Sequence, residues 1–264
     1  MRRRFVLRNK RPLAGRAQAQ VGVVEPAFLV LAVADAAVLA DEAADAIISA
    51  GLRAAFPDVM LVTEEQADSH KAKGDTFLIV DPLDGTLNFL HGMPHFAISI
   101  GLERDGELRA GIVFDVVRNE MFWAETGEGA WLENRRLRVS ARRRLAESVF
   151  ATGVPYLGKP GEDHNQFLRE LNNLTDQVAG IRRFGSAALD LAYVAAGRFD
   201  GFWERGLKPW DVAGGAVLVR EAGGRVEGLN GTNFMESGDI VAANPSLCPK
   251  LAERVEGRLN KKPS

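Results

Sequence analysis

The stretch FLIVDPLDGTLNF, Phe77 to Phe89, decides how the rest of the chain is read. An apolar run leads into Asp81, Pro82, Leu83, Asp84 and then Gly85-Thr86, so a buried strand ends in two acids three residues apart. The strand is predicted over TFLIV and to stop at Pro82, because proline cannot donate to a sheet ladder. Taken alone, DPLDGT also fits an Asx-type turn, since aspartate is a common turn residue. Glu64 and Glu65, however, end the preceding apolar run, VMLVTEE, in the same way. Two neighbouring strands that end in acids place like charges on one rim, where they repel unless a cation is held there. The donors are oxygens only, with no His or Cys at ligand spacing, which suits a hard cation such as Mg2+ and not zinc. Gly85-Thr86 lets the backbone turn and offers N–H groups suited to a phosphate. Acids for a metal beside amides for a phosphate point to phosphoryl chemistry. Asp211, which follows Pro209 and Trp210 at the start of a helical stretch, reads equally as a helix cap and as a remote carboxylate aimed into a cleft.

Working outward, the 264 residues are 46% hydrophobic and 26% charged, the balance of an ordinary globular protein with a large core. A net charge of -2 and a pI near 6.1 give no global reason to expect nucleic acid or an anionic membrane as partner, which makes small molecules the default. A single cysteine, Cys248, forms no internal disulfide and fits a cytoplasmic, reducing setting. Apolar runs fall short of the roughly 20 residues that a membrane helix needs. The start is different: Arg2, Arg3, Arg4, Arg8, Lys10, Arg11 and Arg16 all precede the first acid, Glu25. Residues 1–27 therefore read as a basic, disordered extension, with a targeting segment or a phosphate-binding arm as alternatives, and 28–264 as one domain.

Within 28–264, residues 28–56 read as an alanine-rich helix and 95–140 as an antiparallel meander broken at Asp105-Gly106, Arg118-Asn119 and Asn134. Residues 163–178 read as an amphipathic helix. GIRRFGS is a strand and turn, a helix opens at Ser186 and closes near Gly197, and FDGFWE is another strand. A last helix starts at Pro209 and stops at Gly223-Gly224. Strands and helices mixed along one chain indicate a layered α/β or α+β fold. His91 and His95 flank Met93-Pro94 and read as a structural loop, and Phe202, Trp203 and Trp210 as core.

VTEE at 62–65, VDPLDGTLNF at 80–89 and WDVAGGAVLVREAGG at 210–224 together resemble the signature motifs of the inositol monophosphatase family, Mg2+-dependent and lithium-sensitive phosphomonoesterases. The resemblance runs from about residue 35 to about residue 250. It implies an α/β (α+β mixed) fold, the layered αβαβα sandwich of the inositol monophosphatase and fructose-1,6-bisphosphatase type, usually as a homodimer. It also implies hydrolysis of a small-molecule phosphate monoester, inositol 1-phosphate first. Glu64, Asp81 and the Leu83 carbonyl match the ligands of one Mg2+; Asp81, Asp84 and Asp211 match those of a second, and Glu64 helps to hold a third, weaker ion. Thr86 with Asp41 matches the pair that orients and activates water, and Gly85 and Thr86 match the phosphate donors. Asp84, Asp211, Glu204 and the Gly185-Ser186-Ala187 turn match the substrate side, with Arg182 as a neighbour. Val38 stands where the family carries threonine, and Val30 where it carries lysine, both in a hairpin of the metal site.

Two cations about 3.5–4 Å apart would neutralise phosphoryl oxygens and acidify the attacking water, leaving the protein mostly to position them. The chain has neither a G-x-S-x-G elbow nor a Walker loop, so direct attack by water is expected and not a covalent phosphoenzyme. Bisphosphate nucleotidase, fructose-1,6-bisphosphatase and histidinol-phosphatase activities are alternatives on the same fold. A sugar-phosphate-binding regulator without catalysis, reaching RNA-linked machinery through the basic arm, is the alternative of another class.

Overall fold

The structure is a computed structural model that describes residues 41–64, 76–155 and 163–257. The basic segment 1–27, Val30, Asp35, Val38 and Glu65 lie outside the described residues. The predicted first helix is described as α1, Asp41–Ala55, and it carries Ala44, Ile48 and Leu52 at four-residue spacing on one buried stripe. That stripe packs on Leu78, Val80, Ile98, Ile100 and Ile112 of a sheet.

The sheet begins with β1, Met60–Thr63, parallel to β2, Thr76–Asp84. Here the structure corrects one expectation, because β2 does not stop at Pro82. It pairs antiparallel with β3, Ala97–Arg104, through Asp81 opposite Ser99, and resumes with Asp84 opposite Ala97. Pro82 and Leu83 together face the single residue Ile98, a bulge that accommodates a residue with no N–H to donate. A short helix, α2 (Thr86–Leu90), follows directly. The meander forms as expected with β4 (Glu107–Asp115), β5 (Glu120–Glu125), β6 (Gly129–Leu132) and the two-residue β7 (Arg135–Arg136). Asp105 and Gly106 both take positive φ, 55° and 75°, as a tight hairpin turn requires. A further reversal at Gly127, φ 89°, splits β5 from β6 where the sequence reading placed no break.

The second sheet contains β8 (Val149–Thr152), β9 (Gly180–Arg182), β10 (Gly201–Glu204), β11 (Arg225–Gly228) and β12 (Ile240–Ala243), in the order β11-β12-β10-β8-β9. Between the sheets lie α4 (Ala187–Ala195) and α5 (Pro209–Glu221), buried on nearly all sides. On the outer face of the second sheet, α3 (His164–Leu174) and α7 (Cys248–Val255) pack against Phe150, Trp203 and Val241; α6 (Phe234–Ser237) precedes β12. Helix, sheet, helix pair, sheet and helix pair make the expected αβαβα sandwich. Beyond Gly224 the sequence reading assigned no element, because strands such as IVAA are short, fully buried and without alternation. Phe202, Trp203 and Trp210 are core residues, as expected. Among the described residues no helix is long and apolar enough to cross a membrane.

The central helix α5 sits closer to the first sheet than side chains would permit. A Cβ on Gly111 would lie 2.2 Å from the Gly214 carbonyl oxygen, and one on Gly101 would lie 2.5 Å from the Ala213 Cβ. Gly101 and Gly111 are opposite one another in β3 and β4, so they form a two-residue hollow that receives the helix backbone. We expect Gly111→Val to destabilise the fold by about 3 kcal/mol, at the upper end of overpacking costs. It should also displace Asp211, one turn from Gly214, and so lower divalent-cation affinity. Thermal unfolding and calorimetric metal titration of the variant measure the two effects.

Candidate active site

β2 reaches the rim of the first sheet carrying Asp81, which is 1% exposed, and past the bulge Asp84, which is 8% exposed. Asp81 Oδ1 accepts the Leu83 N–H at 2.9 Å, so the bulge folds back on its own acid. The Leu83 carbonyl accepts the Thr86 hydroxyl at 2.9 Å. Gly85, between them, has φ +93°, and a Cβ there would press on the carbonyls of His95 and Gly185 at 3.1 and 3.2 Å. A side chain would thus close the turn that aims the N-terminus of α2 into the site. Asn88, buried in α2, donates to the carbonyls of His95 at 2.8 Å and Phe184 at 2.7 Å, and so ties this loop to the segment before α4.

Asp84 extends to that segment. Its Oδ2 accepts the Ser186 hydroxyl and the Ala188 N–H, the latter at 2.9 Å, so it caps α4 from another layer of the fold. Ser186 is itself the N-cap of α4, as predicted, and it lines the cleft with its hydroxyl donating to Asp84. Asp211 enters from α5 as its third residue, and its Oδ2 accepts the Lys208 N–H at 2.7 Å. Both readings of this residue hold at once: it caps its helix and it meets the other acids. Carboxylate oxygens of Asp81, Asp84 and Asp211 lie within 4.8 Å of one another. Glu64, just past β1, faces the same cleft, and its charge acts on Asp81.

The electrostatics of this group follow from burial. Desolvation, then the charges of Asp84, Asp211 and Glu64, raise the Asp81 carboxyl well above its usual range, against the Leu83 N–H. Burial and then Asp211 push Asp84 up to about 7, opposed by Ser186 and by the amides of Ala188 and Ala187. A bound divalent cation would offset the repulsion among these acids and favour their charged forms. The donor set, all carboxylate and carbonyl oxygen and with neither His nor Cys among the described residues of the cluster, fits a hard ion.

These acids form one end of a cleft of about 1230 Å³, lined also by Thr86, Gly153, Arg183, Gly185, Ala187 and Glu204. Glu204, at the end of β10, lies directly over Gly153, where any Cβ would collide with its carboxylate. Gly185 turns with φ +84°. Arg182 does not reach this cleft. It is exposed and donates to the Ile181 carbonyl at 3.0 Å, while the next residue, Arg183, lines the wall. β9 ends at Arg182, so the choice between two adjacent arginines depended on where the strand stops. Asp41 is the first residue of α1. His95 packs its ring on Phe184 and Tyr193, as a structural residue would.

Sequence reasoning passed over Asp190. It is 1% exposed on α4, its Oδ1 has no hydrogen-bond partner, and burial, then Glu204 and Asp84, raise its carboxyl against the pull of Arg183. The available signal was an acid inside the apolar run AALDLAYVA.

A profile of the inositol monophosphatase family matches residues 30–260. A Rhizobium meliloti (strain 1021) protein named inositol-1-monophosphatase is 49% identical over 218 residues, covering 82% of this chain and 81% of that one. A Pseudomonas aeruginosa protein named Nus factor SuhB is 45% identical over 222 residues, covering 83% and 82%. The solved inositol monophosphatase from Anabaena (Nostoc) sp. PCC 7120 superposes with a TM-score of 0.80 at 35% identity, over 87% of this chain and 92% of that one. With the family profile spanning most of its length, and the acids of its motifs gathered at one cleft, this chain belongs to the inositol monophosphatase family.

Proposed function

We propose that the chain hydrolyses inositol 1-phosphate to inositol and phosphate, with Mg2+ held at Glu64, Asp81, the Leu83 carbonyl, Asp84 and Asp211. The observation that carries this reading is the meeting of three acids from two layers of the fold, two of them almost fully buried, in the wall of a substrate-sized cleft. Such a group is costly to bury without a cation. When bound, two Mg2+ ions, with a third held partly by Glu64, supply positive charge to the phosphoryl oxygens and acidify the attacking water.

The chain's own residues do the positioning. Gly85 and Thr86 open α2, and their amides would receive the phosphate oxygens. The Thr86 hydroxyl donates a hydrogen bond to the Leu83 carbonyl, which leaves its oxygen lone pairs to accept from the water and orient it; Asp41, whose side chain lies outside the described part of the structure, would be its partner in that task. On the alcohol side Glu204 and the Gly185-Ser186-Ala187 turn face the ring hydroxyls, with Arg183 in the place first given to Arg182. Ser186 serves that turn indirectly, by holding Asp84. The functional unit is residues 28–264, acting in the cytoplasm as a homodimer, with 1–27 as an extension. The reading of another class is a sugar-phosphate-binding regulator without catalysis, and a similar protein carries the name Nus factor SuhB.

The purified protein with saturating Mg2+ should release phosphate from inositol 1-phosphate and be inhibited by Li+. A panel that includes 3′-phosphoadenosine 5′-phosphate and fructose 1,6-bisphosphate ranks the alternatives, and failure on every monoester by a folded sample would leave only the regulator. Asp84→Asn should lower turnover by about a thousandfold or more while the melting temperature stays level or rises, because a repelled carboxylate is removed and its acceptor role toward Ser186 and Ala188 kept. Wild-type turnover in this variant would take Asp84 out of the site.

The raised carboxyl of Asp84 gives a pH signature. Its pKa is higher folded than unfolded, so its contribution to stability is complete below the ordinary value of 3.8 and is lost as pH rises through about 7. Metal-free protein should therefore lose stability across that window, and added Mg2+ should restore it most at the alkaline end. Mg2+ binding near pH 6 should release a proton, read by calorimetry in buffers of different ionisation enthalpy.

A further inference from the structure

A net charge of -2 conceals a local concentration of positive charge. Arg135, Arg136, Arg138, Arg142, Arg143 and Arg144 fall within ten residues, and all six are exposed. They occupy β7 and the extended segment after it, and none of them lines the catalytic cleft.

This segment is held in place from beneath. Leu137 is buried, and the Val139 N–H donates to the Ala222 carbonyl at 3.1 Å. The Ser140 hydroxyl donates to buried Asp200, and buried Asn244 donates to the Arg142 carbonyl at 2.9 Å. Gly197 leaves room for the strap, since a Cβ there would lie 3.1 Å from the Arg138 carbonyl oxygen. Lys250 reaches across to the Arg143 carbonyl at 2.6 Å and adds a further cation. Buried polar groups thus fix the backbone while the guanidinium groups face solvent over a shallow depression of about 760 Å³.

Three of the arginines are engaged: Arg136 lies over the Trp131 ring at 5.6 Å, Arg142 meets Asp200 at 3.2 Å and Arg144 meets Glu147 at 3.0 Å. Among the described residues the guanidinium groups of Arg135 and Arg143 have no partner, and that of Arg138 donates only to the neighbouring Leu137 carbonyl. No large exposed hydrophobic residue lies between Arg135 and Arg144; those of the chain are elsewhere, at Leu87, Leu90, Met93 and Phe184 among others. A protein interface needs an apolar centre depleted in charge. Phosphate recognition needs only guanidinium groups on a fixed frame.

We propose that the strap Arg135–Arg144 binds the phosphate backbone of a nucleic acid, independently of base sequence and separately from the phosphatase site. The test uses the full chain, a fluorescent single-stranded RNA of about 20 nucleotides, and anisotropy between about 50 and 200 mM salt, the range over which phosphate contacts show their salt dependence. The triple variant R135Q/R138Q/R143Q should bind at least tenfold more weakly, with a salt slope shallower by about 2. A control that removes three exposed arginines elsewhere, R53Q/R169Q/R225Q, should stay within twofold of wild type, and phosphate release should be unchanged in the strap variant. Absence of RNA binding by the wild type at the lower salt, or equal weakening by the control, would overturn the proposal. Equally tight binding of a polyglutamate peptide would also overturn it, in favour of an acidic protein partner.

Discussion

The fold is organised around an unfavourable interaction. Asp81, Asp84 and Asp211 bring carboxylate oxygens within 4.8 Å of one another, with Asp81 and Asp84 cut off from water. In isolation that arrangement raises the free energy of the folded chain, and the raised carboxyls of Asp81 and Asp84 express it. What keeps the acids together is a framework with little freedom to relax. The bulge at Pro82-Leu83 turns Asp84 away from the strand, the N-terminus of α4 holds its oxygen, and the hollow at Gly101 and Gly111 lets α5 bring Asp211 close. Local strain and repulsion at a site, offset by packing around it, are what chemistry on a phosphate dianion demands.

Several of these devices serve two purposes. Asp84 caps α4 and faces the cleft, and Asp211 caps α5 and does the same. Each acid is oriented by backbone amides of a helix start, so its side chain is fixed before any ligand arrives. Asn88 and Ser186 act one step back, tying the turn after β2 to the turn before α4 across about a hundred residues of sequence. The substrate side is built in the same economical manner, with Glu204 seated on Gly153 because no side chain intervenes.

Net charge proved a poor guide to local electrostatics. The same chain holds a buried acidic group at the cleft and an arginine strap at the edge of the first sheet, and these cancel in the total. Fields act over distances of about 10 Å in physiological salt, so what a partner meets is the nearest cluster and not the sum.

How much was legible in the sequence depended on the range of the cause. The strand that delivers Asp81, the turn at Gly85 and the helix starts at Ser186 and Pro209 are local properties of the chain, and the first run of acids together with the layered fold class could be read from them. Three matters were settled only in three dimensions. β2 continues past Pro82, because the opposite strand tolerates a bulge there. Arg183 and not Arg182 lines the cleft, because β9 ends at Arg182 and the chain turns toward the site just after it. Ser186 turns to Asp84, and buried Asp190 comes within the electrostatic reach of Glu204 and Asp84, because α4 packs behind the site. The sequence by itself determined which oxygens and which turns were present; tertiary packing decided which of them meet, because carboxylates more than a hundred residues apart come within bonding reach of one ion only when two layers close on each other.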